Sequence, residues 1–533
     1  MKRRETSVLV ADAIDLDQLE PLRARGIRVV DHRGIPPEEL RAAIADHEGL
    51  LVRSRTRVTA DLLSHARRLK VVGRAGSGTD NIDVEAATAA GVLVMNTPGG
   101  NTVAAAEHTI ALLMALARNI PRAASSLERG EWERGKFLGV EIQGKTLGIL
   151  GLGRIGREVA RRARGLGMQV LGTDPLFPDE AAEALGITPV SLEELGARSD
   201  FLSVHVPLVE ATRHVIDAGF LERSRPGIRI LNVARGGIVD EEALLAAIES
   251  GRVAGAALDV FENEPPPPGG LIGHPRVVAT PHLGASTREA QQGVARRIAE
   301  QVAAYLEDGT VENAVNMVGW SRAESEELEP WIRLARKLGS AAVGLLDEPV
   351  QSVEVRFYGE IGRHAHDPVV SSVLVGVLQP FVGERLTLVN ARHLAREHEI
   401  RIDEMTRERH KSFQSLLQVS VGGATGKTTV SGTLFGRRHL RIVRAFGFNI
   451  DAIPEGAMLF VANEDRPGII GHVGTTLAAA GINIANMSVG RDAASGEALA
   501  VLNLDEAASE DVLARLREAP RVRWIRQIRM NDS

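Results

Sequence analysis

Two polar side chains in the middle of the sequence have the chemistry to remove a proton from an alcohol. His282 lies in the segment 281–287 (PHLGAST), and Glu264 lies in the segment 259–265 (DVFENEP). An imidazole accepts a proton near neutral pH, and a neighbouring carboxylate fixes its tautomer and stabilises the imidazolium. The pair fits alcohol oxidation if the two loops converge. Taken alone, His282 is one of 15 histidines, and a place in the core or on the surface is the simpler interpretation.

Arg235 is a candidate for binding an anionic group. It lies in the segment 232–237 (NVARGG), directly after an apolar run that predicts a strand. In open α/β folds, ligands bind at the carboxyl ends of the strands, where a guanidinium can hold a carboxylate with two hydrogen bonds. Without its neighbours, this residue would be interpreted as a surface arginine.

The segment 151–156 (GLGRIG) predicts a dinucleotide-binding loop. It follows an apolar strand and opens a helical stretch, which is the context that the motif requires. Gly151 makes the tight turn, Gly153 lets the backbone approach a pyrophosphate, and Gly156 allows close packing of helix on sheet. A plain glycine turn is the alternative interpretation.

Asp174 ends the next strand, about 20 residues beyond the glycine motif, which is the spacing of the acid that binds the adenosine ribose. A carboxylate there accepts a hydrogen bond from the 2′-hydroxyl and repels a 2′-phosphate. No arginine flanks Asp174, so the sequence favours NAD over NADP. A surface turn is the competing interpretation.

These residues require a scaffold in which strands alternate with helices, and that alternation predicts parallel sheets. The first series of β-rich runs lies at 8–10, 27–30, 50–52, 71–72 and 92–95. The second series lies at 146–150, 169–172, 201–204, 228–232, 255–258 and 277–279. The segment 102–118 predicts a buried helix, in a core or at a subunit interface. A further helix is predicted from about 287 to 307.

The C-terminal part has a different composition. Around residues 317–330 the composition shifts to charge, and the charged segment 321–329 predicts a linker there. Residues 331–453 mix helix and strand without a clear cofactor signature. Residues 454–533 alternate strand, helix, two strands, helix and strand, which predicts a βαββαβ domain.

Bulk composition limits the classes of function. A chain of 533 residues predicts three or four domains. The net charge of −6 argues against a nucleic-acid partner, and the lack of cysteine excludes disulfides, thiolate catalysis and cysteine metal sites. No metal is expected. The apolar runs are too short for a signal peptide or a membrane span. A cytoplasmic enzyme without a membrane partner is therefore expected.

Taken together, these clusters resemble the D-isomer-specific 2-hydroxy-acid dehydrogenase family, whose order of motifs is GLGRIG, Asp, NVARGG, DVFENEP and PHLGAST. The resemblance covers about residues 1–316. It implies an α/β fold with two Rossmann-like doubly wound domains, one for substrate and one for NAD, and the catalytic set Arg235, Glu264 and His282. The residues it implies at the NAD site are Ser77, Gly151, Gly153, Arg154, Ile155, Gly156, Asp174, Val206, Val233, Ala234, Asp259 and Gly284. Val206 departs from the pattern, because many relatives have Thr before Pro207.

The resemblance continues beyond residue 316. Segments 431–436 (SGTLFG) and 444–448 (RAFGF) are similar to the α+β intervening allosteric domain of the long members that act on 3-phosphoglycerate, and 463–486 is similar to an ACT domain. The substrate-binding positions that this implies are Arg53, Ser54, Arg55, Arg74 and Asn101. The effector positions that it implies are Asn463, Asp465 and Asn483, with L-serine bound between two subunits of a homo-oligomer, a dimer or a tetramer.

Four domains follow from the resemblance. The substrate domain comprises residues 1–98 and 286–316, and the NAD-binding domain comprises residues 99–285. The intervening domain spans residues 317–453, and the ACT domain spans residues 454–533.

The expected reaction is NAD-dependent oxidation of 3-phosphoglycerate at C2 to 3-phosphohydroxypyruvate, the first step of L-serine biosynthesis. One rival is a glyoxylate or hydroxypyruvate reductase of the same family, which does not need the long regulatory tail. A second rival is an NAD-sensing binding protein on the same fold, related to transcriptional corepressors. The intact Arg235, Glu264 and His282 positions count against that second rival.

Overall fold

The first series of apolar runs forms one parallel sheet. The computed structural model describes residues 5–320, 322–363, 366–436 and 438–530. The sheet has the order β2-β1-β3-β4-β5, with strands β1 (Ser7–Val10), β2 (Arg28–Asp31), β3 (Gly49–Val52), β4 (Val71–Arg74) and β5 (Leu93–Met95). The connecting helices are α1 (Glu20–Arg23), α2 (Pro37–Ala43), α3 (Ala60–His65) and α4 (Val84–Ala89). Thr59 and Asp83 cap α3 and α4 with their side-chain oxygens, so local sequence sets where these helices begin.

The chain then crosses to a second sheet through α5 (Thr102–Ala117) and α6 (Ile120–Glu128). The second sheet is parallel throughout and has the order β12-β11-β10-β9-β6-β7-β8. Its strands are β6 (Thr146–Leu150), β7 (Gln169–Thr173), β8 (Thr188–Pro189), β9 (Phe201–Val204), β10 (Ile228–Asn232), β11 (Val253–Leu258) and β12 (Val277–Ala279). Its helices are α7 (Arg154–Gly165), α8 (Asp179–Ala184), α9 (Leu192–Arg198), α10 (Ala218–Arg223) and α11 (Glu241–Glu249). Strand order reverses between β6 and β9, which creates the crevice where Rossmann folds bind dinucleotides.

Helix α12 (Arg288–Asp308) returns the chain to the first sheet, as the sequence predicts. Its apolar face, with Val294, Ile298 and Val302, belongs to the same core as strands β1 and β3. The nearly all-apolar helix α5 instead packs against the second sheet. The two crossings place the carboxyl edges of both sheets on one interdomain cleft.

A six-stranded mixed sheet follows, in the order β14-β13-β15-β16-β17-β18. Its strands are β13 (Ser352–Gly359), β14 (Arg401–Arg407), β15 (Ser415–Gly422), β16 (Lys427–Phe435), β17 (His439–Ala445) and β18 (Phe448–Ala452). The helices of this part are α13 (Arg322–Gly344), α14 (His366–Val382) and α15 (Ala391–Glu397).

The prediction of a charged linker over 321–329 is wrong from residue 322 onward. Helix α13 begins at Arg322, and Ser321 lies outside the described residues. Glu327 and Glu329 are exposed, whereas Leu328 and Trp331 pack against buried cores. The charges therefore belong to the solvent face of an amphipathic helix, a pattern that composition alone does not separate from a linker.

The last sheet is antiparallel, with the order β20-β21-β19-β22, and confirms the βαββαβ prediction. Its elements are β19 (Gly456–Glu464), α16 (Ile469–Ala479), β20 (Ile484–Asp492), β21 (Glu497–Leu504), α17 (Glu510–Arg517) and β22 (Val522–Met530). One face packs on α16 and α17. The other face, with Phe460 and Val501, shares a single core with α13, α14 and the six-stranded sheet.

Within the described part of the chain, no single helix is long and apolar enough to span a bilayer, although the bent pair α5 and α6 together reaches the required length and composition. Helix α5 is largely buried in the core of the second sheet.

Candidate active site

The loops that carry His282 and Glu264 converge at the carboxyl edge of the second sheet. His282 Nδ1 lies 2.8 Å from Glu264 Oε2, and both side chains are about half exposed. The second carboxylate oxygen, Glu264 Oε1, accepts a hydrogen bond from the Phe261 amide at 3.2 Å. The carboxylate is thus fixed from one side and holds the imidazole from the other.

Asp259 supports the His282 loop through hydrogen bonds to its backbone. It is fully buried, and its carboxylate accepts hydrogen bonds from the Leu283 and Gly284 amides at 2.7 Å each. The Thr280 hydroxyl donates to it at 2.6 Å, and His108 Nε2 lies at 3.2 Å. Burial raises the pKa of Asp259, but these hydrogen bonds outweigh burial and hold the pKa below its usual value.

Arg235 reaches across the cleft between the two sheets. Its Nε donates to Asp80 Oδ2 of the first domain at 3.0 Å, and its Nη1 donates to the Ala234 carbonyl at 2.6 Å. A Cβ at Gly78 would lie 2.1 Å from Arg235 Nη2, so a side chain there would push the guanidinium out of this position. The buried Asn232 braces the turn, because its amide donates to the Arg235 carbonyl at 2.8 Å.

A second group of arginines lines the first domain's side of the cleft. Arg74 ends β4, and its Nε donates to Asn81 Oδ1 at 3.0 Å. Burial, and after it the positive charge of Arg235, lowers the pKa of Arg74 to about 10, and Arg53 adds to the effect. Three guanidinium groups that repel one another favour the entry of an anion.

The loop with Arg53, Ser54 and Arg55 is held by two residues. Asp12 Oδ2 accepts a hydrogen bond from the Arg53 amide at 2.6 Å. Asn81 Nδ2 donates to the Arg53 carbonyl at 2.8 Å. Because Asn81 also receives Arg74, one amide side chain fixes both basic segments. Ser54 and Arg55 are exposed on the same loop.

Ser77 and Asn101 meet at the first crossing between the domains. The Ser77 hydroxyl donates to Asn101 Oδ1 at 2.8 Å, and the Asn96 amide donates to the Ser77 carbonyl at 2.6 Å. The segment around Ser77, a residue expected at the NAD site, is therefore attached to the start of α5.

The glycine loop has the geometry that a dinucleotide requires. Gly151 has φ 97°, and a Cβ there would lie 2.7 Å from the His205 carbonyl. A Cβ at Gly156 would lie 2.0 Å from the Gly151 carbonyl. Gly153 faces open space and caps α7 without any side-chain hydrogen bond. Helix α7 therefore presents its first backbone N–H groups to a phosphate, and the residues present fit a nicotinamide dinucleotide.

Asp174 is attached to the same loop. Its Oδ2 accepts from the Leu152 amide at 2.8 Å, and its Oδ1 accepts from the Leu176 amide at 2.9 Å. Arg154 Nη1 instead donates to the Pro98 carbonyl at 2.7 Å and so contacts the domain crossing. Val206 packs against Gly151.

The other residues predicted at the cofactor site surround this loop. Ile155 is half-buried in the first turn of α7, and Val233 and Ala234 follow β10. Gly284 lies over Val233, because a Cβ at Gly284 would be 3.1 Å from Val233 Cγ1. All of these positions lie at the carboxyl edge of the second sheet.

The predicted effector residues do not come together within one chain. Asp465 follows β19 and accepts from Arg491 Nε at 2.6 Å. Asn483 precedes β20 and donates to Asp505 Oδ2 at 2.9 Å. The strand register puts them at opposite ends of the sheet, roughly 25 Å apart at 3.3 Å per residue. The buried Asn463 donates to the Glu464 carbonyl.

Several residues at this site are missing from the sequence prediction, namely Asp12, Asp80, Asn81 and His108. The sequence position of Asp12 could have marked it as a site residue, because it follows β1 as Arg235 follows β10. His108 could have been found as a polar residue within an almost wholly apolar helix. Asp80 and Asn81 lie in a polar loop without such a mark.

Three protein-family models match separate parts of the chain. Residues 110–284 match the NAD binding domain of D-isomer specific 2-hydroxyacid dehydrogenases. Residues 327–446 match the D-3-phosphoglycerate dehydrogenase intervening domain, and residues 457–521 match the ACT domain.

Relatives extend over nearly the whole chain. The D-3-phosphoglycerate dehydrogenase of Methanocaldococcus jannaschii is 40% identical over 98% of this chain and 99% of its own length. That of Bacillus subtilis is 40% identical over 96% and 97%. Among solved structures, a glyoxylate reductase from Paecilomyes thermophila is 33% identical with a TM-score of 0.54, and covers 58% of this chain and 98% of its own. The chain therefore belongs to the D-isomer-specific 2-hydroxyacid dehydrogenase family, among the D-3-phosphoglycerate dehydrogenases, and is an enzyme of that kind.

Proposed function

We propose that this chain oxidises D-3-phosphoglycerate at C2 to 3-phosphohydroxypyruvate with NAD as the acceptor, at the start of L-serine biosynthesis. The observation that carries the proposal is the Glu264–His282 pair at 2.8 Å, which shares the interdomain cleft with Arg235 and Arg74. Full-length similarity to proteins named D-3-phosphoglycerate dehydrogenase supports the choice of substrate.

His282 is the proposed base. An ionised Glu264 only accepts hydrogen bonds, so the short contact assigns the hydrogen to His282 Nδ1 and leaves the lone pair on Nε2. Nε2 then takes the hydroxyl proton of the substrate. Glu264 orients the ring and stabilises the imidazolium that forms.

Arg235 is proposed to hold the substrate carboxylate and to polarise the oxygen that becomes the carbonyl. Its partner Asp80 is well exposed and occupies only one edge of the guanidinium. NAD, held by the glycine loop and Asp174, would supply the acceptor for the hydride that leaves C2. The hydroxyl proton would go to His282 and the hydride to the cofactor, and the C–O bond would become a carbonyl.

The substrate phosphate is proposed to bind Arg53 and Arg55, with Ser54, Arg74 and Asn101 in support. Burial and the nearby positive charges of Arg235 and Arg53 lower the pKa of Arg74, so they disfavour its charged form. A dianion there relieves the repulsion among Arg74, Arg53 and Arg235. An unphosphorylated acid leaves part of that repulsion in place.

NAD rather than NADP is the proposed cofactor. Asp174 is fixed by two backbone amides beside the glycine loop. A 2′-phosphate would meet this carboxylate at close range, whereas a 2′-hydroxyl donates to it. Ser77, Arg154, Val206 and Asp259 are proposed to complete the cofactor site.

L-Serine is the proposed effector of the ACT domain, bound between Asn463 and Asp465 of one copy and Asn483 of another. The separation of Asp465 from Asn483 within one chain supports a site built from two copies. A homo-oligomer is therefore required. Apolar side chains exposed on and after α6 support a further contact between copies: Ile120, Leu127, Trp132 and Leu138.

The four sheets support the domain division predicted from the sequence. The hydrophobic cores add which of these domains are expected to move together. The proposed intervening domain (317–453) and ACT domain (454–533) share a hydrophobic core, so they are expected to move as one unit. The substrate domain (1–98 and 286–316) and the NAD-binding domain (99–285) have separate cores and can move about the crossings.

Turnover on a panel of acids tests the proposed function. The full-length chain is incubated with NAD and D-3-phosphoglycerate, D-glycerate or D-lactate, and with NADH and glyoxylate or hydroxypyruvate. We expect the highest kcat/KM on 3-phosphoglycerate. A higher kcat/KM on glyoxylate or hydroxypyruvate would favour the reductase alternative. Binding of NADH without turnover on any of these acids would favour an NAD-sensing protein.

A further inference from the structure

The loop that carries His282 has a backbone that needs outside support. His282 has φ 55°, a left-handed conformation that is unfavourable for any residue with a side chain. Asp259 supplies the support, because its carbonyl accepts from the His282 amide at 2.9 Å and its carboxylate accepts from the Leu283 and Gly284 amides. The position of the proposed base therefore depends on where Asp259 is held.

Asp259 is itself held by two side chains. Its carboxylate is 1% exposed, so its charge must be compensated by donors within the protein. Besides the two amides, those donors are the Thr280 hydroxyl at 2.6 Å and His108 Nε2 at 3.2 Å. His108 Nε2 also lies 3.1 Å from Thr280 Oγ1.

Counting hydrogens assigns the tautomer of His108. The carboxylate has none to give, and Thr280 uses its single hydroxyl hydrogen in the 2.6 Å bond to Asp259. The hydrogen between His108 and these two oxygens must then come from Nε2. A neutral imidazole with Nε2–H satisfies the whole triangle.

His108 lies on the helix that begins at the domain crossing. Helix α5 starts directly after Asn101, whose side chain receives the Ser77 hydroxyl of the first domain. The rise of an α-helix places His108 about 10 Å farther along. One rigid helix thus contacts the segment around Ser77 at its start and the support of the His282 loop two turns later.

We propose that His108 is a positioning residue which, through Asp259 and Thr280, fixes the His282 loop relative to α5 and hence to the domain crossing. This inference rests on the proposed function, because it assigns His108 a part in the same dehydrogenation. His108 acts only through other residues.

Three substitutions test the proposal in the full-length enzyme. His108→Gln places an amide N–H near the position of Nε2, His108→Asn is too short to do so, and His108→Leu has no donor. We expect kcat to fall about 10- to 100-fold in the Leu and Asn variants, as for a reacting group displaced by a fraction of an ångström to an ångström. The Gln variant should stay within about fivefold of the parent, which is the rescue that the lost hydrogen bond predicts. Glu107→Gln, on the exposed side of the same helix, is the matched control.

Two readouts separate positioning from a general loss of structure. The deuterium isotope effect on kcat, with substrate deuterated at C2, should rise in the Asn variant and stay at the parent value in the Gln variant. Hydrogen exchange in a peptide covering residues 280–286 should be faster in the Asn variant than in the Gln variant. If the Leu variant does not fold, the contrast between Asn and Gln decides.

Equal kcat in the Asn and Gln variants, or faster turnover in Asn than in Gln, would overturn the role of His108. A parent enzyme without turnover on 3-phosphoglycerate would overturn the proposed function instead. In that case, hydrogen exchange still tests the support that His108 gives to the loop. Equal exchange in the Asn and Gln variants would overturn that positioning role.

Discussion

His282 is the residue on which turnover depends most directly. Replacing it with Asn removes the base but keeps a side chain that can face Glu264. We expect kcat to fall by about two to four decades, which is the usual contribution of general acid–base catalysis. The affinity for NADH, measured by fluorescence titration, should stay within a few-fold of the parent. Turnover at the parent level in this variant would show that another group accepts the proton.

Arg53 is expected to discriminate between phosphorylated and unphosphorylated acids. Arg53→Ala removes one of the guanidinium groups that lower the pKa of Arg74. The KM for 3-phosphoglycerate should rise at least tenfold, since charge-assisted hydrogen bonds contribute about 1.5–3 kcal/mol. The KM for D-glycerate should change little. Arg57→Ala, an exposed neighbour in the same loop, is the control. Equal changes in the two Michaelis constants would contradict the assignment.

Asp174 is expected to determine the choice of cofactor. Asp174→Ala removes the charge that opposes a 2′-phosphate, so the ratio of kcat/KM for NAD to that for NADP should fall. Asp174→Asn is the sharper variant, because its amide oxygen can still accept from the Leu152 amide. An unchanged ratio in both variants would remove Asp174 from cofactor selection.

At the scale of helices and strands, the sequence predicted most of the scaffold because the strands are short apolar runs bounded by turn residues. The predicted runs at 8–10 and 146–150 correspond to β1 and β6. The linker prediction failed at α13, where burial of Leu328 and Trp331 outweighs the charge of their neighbours. The spacing of apolar residues, rather than the charged composition, indicates the helix there.

The sequence likewise predicted only part of the candidate active site. The segments with Arg235, Glu264 and His282 were recognisable because each follows a strand. Asp80 and Asn81 were not, since they lie in a polar loop and their partners, such as Arg235 for Asp80, are distant in sequence. His108 stood out only as a polar residue in an apolar helix, and its partner Asp259 is also distant in sequence. Asp259 was predicted to line the cofactor site, and its carboxylate is buried under the His282 loop. Only a folded chain reveals such pairings.

The corner between α4 and β5 is one place where the C-terminal part, made of the proposed intervening and ACT domains, contacts the proposed substrate domain. Thr387 Oγ1 donates to the Gly91 carbonyl at 3.2 Å, and Asn390 Nδ2 approaches the Ala89 carbonyl at 3.4 Å. Strand β5 leads from this corner to Asn96, which binds the Ser77 carbonyl. A shift of the C-terminal part can thus reach the segment around Ser77 through one strand.

Gly91→Ala tests this contact. Gly91 has φ 73°, and a Cβ there would lie 2.8 Å from Asn390 Nδ2 and 2.9 Å from Thr387 Oγ1. We expect the serine concentration for half-inhibition to rise several-fold, because the contact that transmits the signal is pushed apart. Gly26→Ala is the control, since Gly26 has φ 69° but open space at Cβ and so carries the backbone strain alone. The same inhibition in both variants as in the parent would exclude this corner as the transmitting contact.

At the scale of the whole molecule, regulation and chemistry are expected to be separable. A truncated chain that ends after Trp320 keeps both parallel sheets and the buried Trp320, which belongs to the substrate-domain core. It should retain dehydrogenase activity and lose inhibition by serine. Its KM is expected to change, because Leu388 and Val389 of the removed part also pack on that core. Serine inhibition that persists in a folded truncated enzyme would place the effector outside the ACT domain.

The destination of the hydrogen at C2 tests the proposed chemistry most directly. Full-length enzyme is incubated with NAD and D-3-phosphoglycerate deuterated at C2, and the NADH formed is analysed by mass spectrometry. Hydride transfer from C2, with the hydroxyl proton taken by His282, predicts one deuterium in every NADH formed, together with an equal amount of 3-phosphohydroxypyruvate. NADH without deuterium, or no NADH at all, would contradict the proposed reaction.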